Sequence, residues 1–83
     1  MAIEYNLYSS EGCHLCQQAY ELLIQTIPKE SVRIIDIVED ELVGQNLVEL
    51  YGVHIPVLEC LSNSDKLFWP FDLSQVLAFK NKD

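Results

Sequence analysis

Apolar and polar residues alternate along Ile3-Glu4-Tyr5-Asn6-Leu7-Tyr8 until the final pair, the period of a β-strand. Ser9-Ser10-Glu11-Gly12 breaks the alternation. From Cys13 the apolar positions fall at Cys16, Ala19, Tyr20, Leu23 and Ile27, the spacing of one helical face. Pro28 closes this helix, because the residue before a proline is pushed out of helical geometry. Val32 to Val38 is rich in β-branched residues and predicts a second strand.

Asp40 or a close neighbour is expected to cap a second helix, with Val43, Leu47, Leu50 and Tyr51 on its face. Gly52 stands where a left-handed C-terminal cap is expected. Val57 to Leu61 predicts a third strand, Ser62-Asn63-Ser64-Asp65 a turn, and Lys66 to Trp69 a fourth strand completing a hairpin. Asp72 with Gln75 three residues on resembles a capping box, opening a last helix that carries Leu73, Val76, Leu77 and Phe79.

The predicted order is β-α-β-α-β-β-α, with no repeat, linker or low-complexity segment. Two strands joined through a helix should be parallel with a right-handed crossover, and the last two should be antiparallel. The expected architecture is α/β, a mixed four-stranded sheet flanked by helices on both faces. Eighty-three residues make one domain, 1–83, and 49% hydrophobic residues are enough for one core.

Charge narrows the function classes. Thirteen acidic residues against five basic ones give a net −8. Affinity for phosphate backbones needs clustered Lys and Arg. Lys29, Arg33, Lys66, Lys80 and Lys82 form no stripe before the last few residues, so nucleic acid is not an expected partner. No apolar run approaches the roughly 20 residues that span a bilayer. Met1-Ala2-Ile3-Glu4-Tyr5 has neither a basic leader nor a long apolar stretch. The expectation is a cytoplasmic monomer without a membrane partner.

The candidate chemistry is Cys13-His14-Leu15-Cys16. Cys13 falls at a strand-to-helix junction, where free backbone N–H groups and the positive end of the helix dipole favour a thiolate. In C-x-x-C motifs the thiol pKa drops below its free value of about 8.5. Cys16, one turn further in, is placed to attack a mixed disulfide on Cys13 and release reduced substrate. Cys13 is then the nucleophile and Cys16 the resolving thiol. As a structural staple so small a ring removes little chain entropy. Zinc or an iron–sulfur cluster normally takes four protein ligands, and one C-x-x-C supplies two, with His14, His54 and Cys60 as remaining candidates. Redox chemistry is favoured and no metal ligand is assigned. The rival classes are a metal- or cluster-holding module and a non-catalytic interaction domain.

The element order, Cys13-His14-Leu15-Cys16 at the first helix, and Tyr51-Gly52-Val53-His54-Ile55-Pro56-Val57 together resemble the thioredoxin superfamily. The short chain looks more like glutaredoxins, and Trp69-Pro70-Phe71-Asp72 resembles a branch of small bacterial glutaredoxin-like proteins. The likeness implies a thiol–disulfide oxidoreductase serving electron transfer and cell redox homeostasis, acting on protein or small-molecule disulfides. It further implies a cis Ile55–Pro56 bond facing the C-x-x-C, with the Ile55 backbone offered to an extended substrate.

Two departures from glutaredoxin bear on the reductant. Many glutaredoxins carry a basic residue just before the first active cysteine, where this chain has Glu11-Gly12. Their Gly-Gly segment before the last helix is replaced by Trp69-Pro70-Phe71. No resident cofactor is expected, glutathione is a weak candidate co-substrate, and a thioredoxin-type reductant is expected to do better.

Asp72 could meet a glutathione amine, but an N-cap is the favoured reading. His14 is either a cation that favours the thiolate or an exposed spacer. Tyr8 ends the first strand close to the active loop and is a candidate substrate contact. His54 is expected at the surface, Cys60 in the core as a small hydrophobe, and Phe68, Trp69 and Phe71 in core packing. Glu39-Asp40-Glu41 reads as a solvated helix start.

Overall fold

A computed structural model describes residues 3–38, 51–52 and 54–81. In chain order these form β1 (Tyr5–Ser9), α1 (His14–Leu23), a 3-10 turn (Lys29–Ser31), β2 (Val32–Asp36), β3 (Val57–Cys60), β4 (Lys66–Phe68) and α2 (Leu73–Asn81). The helix expected from Asp40, with Val43, Leu47 and Leu50, and the run Glu39-Asp40-Glu41 lie outside the described residues.

The sheet runs β2-β1-β3-β4. β1 and β2 are parallel, from Tyr5 opposite Val32 to Ser9 opposite Asp36, and α1 belongs to the crossover such a pair needs. β3 is antiparallel to β1, with Tyr8 opposite Val57, and β4 is antiparallel to β3, with Phe68 opposite Val57. This is the mixed sheet that the apolar pattern predicts.

Successive strand residues face opposite sides, and that alternation divides the core. Tyr5, Leu7, Val32, Leu58 and Cys60 pack with Ala19 and Leu23 of α1 and with Val76 and Phe79 of α2. Tyr8, Val57, Ile37 and Tyr51 form a second cluster on the opposite face. Leu7, Leu23, Ile27, Leu58 and Val76 are almost wholly buried. Each such aliphatic side chain contributes roughly 1.5–3 kcal/mol by leaving water. In α2, Val76 and Phe79 are buried, whereas Leu77 is exposed and Leu73 only half-buried.

Element ends differ from the pattern because of strand pairing and hydrogen bonds, some local and some long-range. β1 starts at Tyr5 rather than Ile3, since β2 begins at Val32 directly opposite Tyr5. β2 stops at Asp36, whose Oδ1 accepts the Val38 N–H at 2.8 Å and turns the chain. α1 ends at Leu23 rather than Ile27. The Gln25 and Thr26 N–H groups donate three residues back, to Leu22 and Leu23, so the last turn tightens. Ile27 still donates to the Leu23 carbonyl at 2.9 Å and stays buried, which is why the apolar spacing runs past the helix. Lys80 of α2 donates to the Thr26 carbonyl at 2.7 Å, satisfying an acceptor that the tightened end leaves over.

α2 opens on a reciprocal capping box. The Gln75 N–H donates to Asp72 Oδ1 at 2.8 Å, and the Asp72 N–H donates to Gln75 Oε1 at 3.0 Å. No described helix is long and apolar enough to cross a membrane.

Candidate redox site

The loop from β1 to α1 sets the two cysteines. Gly12 lies at φ +78°, in the left-handed region that glycine enters without a Cβ penalty. No heavy atom stands within 4 Å of where a Cβ would be, so the backbone angle, not crowding, favours glycine. The Cys13 N–H then donates to the Ser10 carbonyl at 3.2 Å, and Cys13 adopts extended geometry as the N-cap of α1. Its Sγ accepts the Cys16 N–H at 3.1 Å, the place an N-cap oxygen usually takes.

Cys13 and Cys16 lie with Sγ atoms at disulfide bonding distance and Cα atoms 5.2 Å apart, inside the range a disulfide needs. Cys13 is half-exposed and Cys16 is buried. The first turn of α1 has no acidic residue, so no carboxylate there competes for the positive end of the helix. This arrangement leaves Cys13 the more accessible of the two cysteines.

A cleft of about 280 Å³ opens beside the pair. Its walls include Leu7, Ser9 and Ser10 from β1 and its loop, His14, Gln17 and Tyr20 from α1, and Ile34 from β2. Ser9, Ser10, Tyr20 and Ile34 were not among the candidates read from sequence. Strand parity was the signal for two of them. Ser9 shares a face with Leu7, and Ile34 pairs with Leu7, so all three turn toward α1.

The other candidates sit as follows. His14 is exposed and lines the cleft. The Ile55–Pro56 bond is cis, and so is Trp69–Pro70, which the sequence reading did not anticipate. Pro56 precedes Val57, the partner of Tyr8, so the register brings it to the end of the sheet where the C-x-x-C loop leaves β1. Pro56 is buried, and its carbonyl accepts the Trp69 N–H at 3.2 Å. The Ile55 N–H is already taken by the Tyr51 carbonyl at 3.0 Å.

Tyr8 faces away from α1 and is absent from the cleft walls. Its ring stacks on Tyr51 with centroids 4.3 Å apart, and its hydroxyl donates to Glu59 Oε1 at 2.6 Å. Burial first, and then the Glu59 carboxylate, push the Tyr8 phenol well above its ordinary value. Asp72 is engaged as the cap described above. Cys60 is buried at the far end of β1, opposite Tyr5, with Sγ 3.3 Å from Ser62 Oγ. Among the described residues no three His, Cys, Asp or Glu side chains gather in a way that could hold a metal ion.

Phe71 is buried and Trp69 packs edge-on against it, as expected. Phe68 is a correction. It is 47% exposed and meets the ring of exposed His54 edge-on, because β4 is an edge strand and Phe68 shares the face of Val57, turned away from α1 and α2.

A family model described as Glutaredoxin-like domain (DUF836) matches residues 4–79. The chain belongs to this glutaredoxin-like family. Its fold is thioredoxin-like, and Cys13 and Cys16, at disulfide bonding distance, fit a C-x-x-C redox motif. The glutaredoxin-like chain is also similar to a solved structure, the X-ray structure of the structural-genomics target protein XcR50 from X. campestris. The two are 28% identical with a TM-score of 0.77, over 95% of this chain and 97% of that one. Comparison with curated proteins finds no match.

Proposed function

We propose that this glutaredoxin-like chain is a thiol–disulfide oxidoreductase, with Cys13 as nucleophile and Cys16 as resolving thiol. The supporting observation is the half-buried Cys13 at the N-cap of α1, its Sγ 3.1 Å from the Cys16 N, with buried Cys16 as its bonding partner.

In the reduced chain, the Cys13 thiolate attacks one sulfur of a substrate disulfide, forming a mixed disulfide and releasing the other half as a thiolate. Cys16, giving up its proton, then attacks Cys13 Sγ. The Cys13–Cys16 bond forms and the second substrate thiolate leaves. Two electrons pass from the dithiol to the substrate, whose two sulfurs take up two protons. The helix N-terminus stabilises the thiolate at Cys13, both when it attacks and when it is the leaving group.

Substrates in this reading are protein or small-molecule disulfides, met from the cis-Pro56 side. With its N–H occupied, Ile55 offers only its carbonyl to such a substrate. The chain regains its dithiol by exchange with one external dithiol or with two monothiols such as glutathione, and the acidic surface disfavours the anionic glutathione, leaving a thioredoxin-type protein as the better reductant.

The test uses the pre-reduced chain, freed of reductant, with bis(2-hydroxyethyl) disulfide. Wild type should convert one disulfide per chain to two thiols while forming Cys13–Cys16. Cys13→Ser should release none. Turnover by Cys13→Ser, or none by wild type, overturns the proposal.

A further inference from the structure

We propose that the cleft beside Cys13 receives the side chain of a lysine or arginine flanking the reactive cysteine of a polypeptide disulfide, its aliphatic stem between Tyr20 and Ile34 and its charged head at Glu11. This rests on the oxidoreductase reading above and names its substrate class.

Sites for free small ligands run from roughly 300 to 1,000 Å³. At about 280 Å³ the cleft sits at the lower edge of that range and has room for one long side chain. It lies on the β2 side of the disulfide, whereas Pro56 lies on the β3 side. A substrate chain passing Pro56 with its cysteine at Cys13 would present a neighbouring residue to this second side.

The walls indicate what that residue is. Leu7 closes the cleft from the core, Ile34 is 51% exposed, and the half-buried Tyr20 adds an aromatic ring. These surfaces favour an aliphatic stem. Ser10 and Gly12 both line the cleft, and exposed Glu11 stands between them in the chain, beside the cleft and outside its walls. Glu11 makes no hydrogen bond or ion pair among the described residues. Arg33, beside Ile34 on β2, is paired with Asn6 and turns to the opposite face by strand alternation, so it brings no positive charge to this side. A cleft with apolar walls at Leu7, Tyr20 and Ile34, polar ones at Ser9, Ser10 and Gln17, and a carboxylate next to it in the chain suits side chains that bury a hydrocarbon stem and keep a cation in water.

The redox step is unchanged: two electrons leave the Cys13–Cys16 dithiol and the peptide disulfide becomes two thiols. Selection acts on encounter and on the mixed disulfide. An exposed ion pair of this kind changes the rate constant by about two- to fivefold.

The experiment compares single-turnover rate constants of the pre-reduced full chain with disulfide-linked dimers of short peptide amides. Cysteine is flanked by lysine, norleucine, alanine or glutamate. Each rate is divided by that for dithiothreitol with the same peptide, which removes the intrinsic reactivity of the disulfide. All rates are compared at one pH, 8.

Lysine should exceed norleucine by about two- to fivefold at low salt, and norleucine should exceed alanine and glutamate. The lysine advantage should fade as salt shortens the screening length from about 30 Å at 0.01 M to about 3 Å at 1 M. Glu11→Gln should bring lysine down to norleucine. Because any change in Cys13 reactivity multiplies every rate alike, the ratio reads charge alone. Ile34→Ser, at an exposed strand position that tolerates it, should lower lysine and norleucine together relative to alanine.

Equal rates for lysine and norleucine, or an advantage that survives Glu11→Gln, overturn the charge assignment. Ratios unmoved by Ile34→Ser overturn the cleft as the stem's site. Failure to reduce any peptide removes the oxidoreductase reading itself.

Discussion

The Sγ of Cys13 accepts the backbone N–H of Cys16 at 3.1 Å, so the half-buried cysteine caps the helix that carries its fully buried partner. In the reduced chain that N–H and the helix dipole favour the thiolate at Cys13. Limiting iodoacetamide on the reduced chain should therefore label Cys13 first, as read by peptide mapping. Cys16 and Cys60, 4% and 1% exposed, should follow slowly. First labelling at Cys16 would exchange the two roles.

Tyr8 and Glu59 make a pH-dependent contribution to stability. Buried and bonded to the carboxylate, the Tyr8 phenol keeps its proton in the folded chain at pH values where an unfolded tyrosine, with its pKa near 10, has lost it. The folded state then binds more protons than the unfolded one, so this contribution is whole below about pH 10 and is lost above it. The limiting slope for one proton is about 1.4 kcal/mol per pH unit. Denaturant titrations of wild type and Tyr8→Phe from pH 8 to 11 should show the steeper decline in wild type. Parallel curves would contradict the assignment.

Asp72 and Gln75 cap each other's backbone N–H groups. Asp72→Ala should cost about 1 kcal/mol, and Asp72→Ser or Asp72→Asn should recover most of it. Thermal unfolding reads this. If Asp72 instead serves mainly as a glutathione contact, Asp72→Ala will leave the melting temperature alone and raise the KM for glutathione.

Glutathione should be a poor reductant. It is an anionic tripeptide, and Glu11 stands two residues before Cys13 in a chain of net charge −8. Steady-state rates at matched potential should rise with glutathione without saturating in the millimolar range, while a thioredoxin-type dithiol protein does better. Tight saturation by glutathione would contradict this.

The sheet was legible in the sequence because period-two alternation and β-branched runs are local signals, and α1's buried face because Cys16, Ala19 and Leu23 repeat at helical spacing. The cysteine pair was legible for the same reason: its position at the start of a helix follows from the loop Ser9-Ser10-Glu11-Gly12 and the apolar repeat behind it. What escaped depends on partners distant in sequence. The sequence placed Tyr8 near the active loop, but which face its ring takes follows from strand parity, and parity sends it to Glu59 and Tyr51. The early end of α1 involves Lys80, which is 54 residues from Thr26. The β2 wall of the cleft required knowing that Leu7 pairs with Ile34.

Trapping reads whether Cys13 forms the mixed disulfide and Cys16 resolves it. Reduced Cys16→Ser is mixed with bis(2-hydroxyethyl) disulfide, quenched and weighed intact, then mapped. A stable adduct of one mercaptoethanol half on Cys13, with no such adduct in Cys13→Ser, is the predicted result. An adduct on Cys60, or an equally populated adduct in Cys13→Ser, would contradict it.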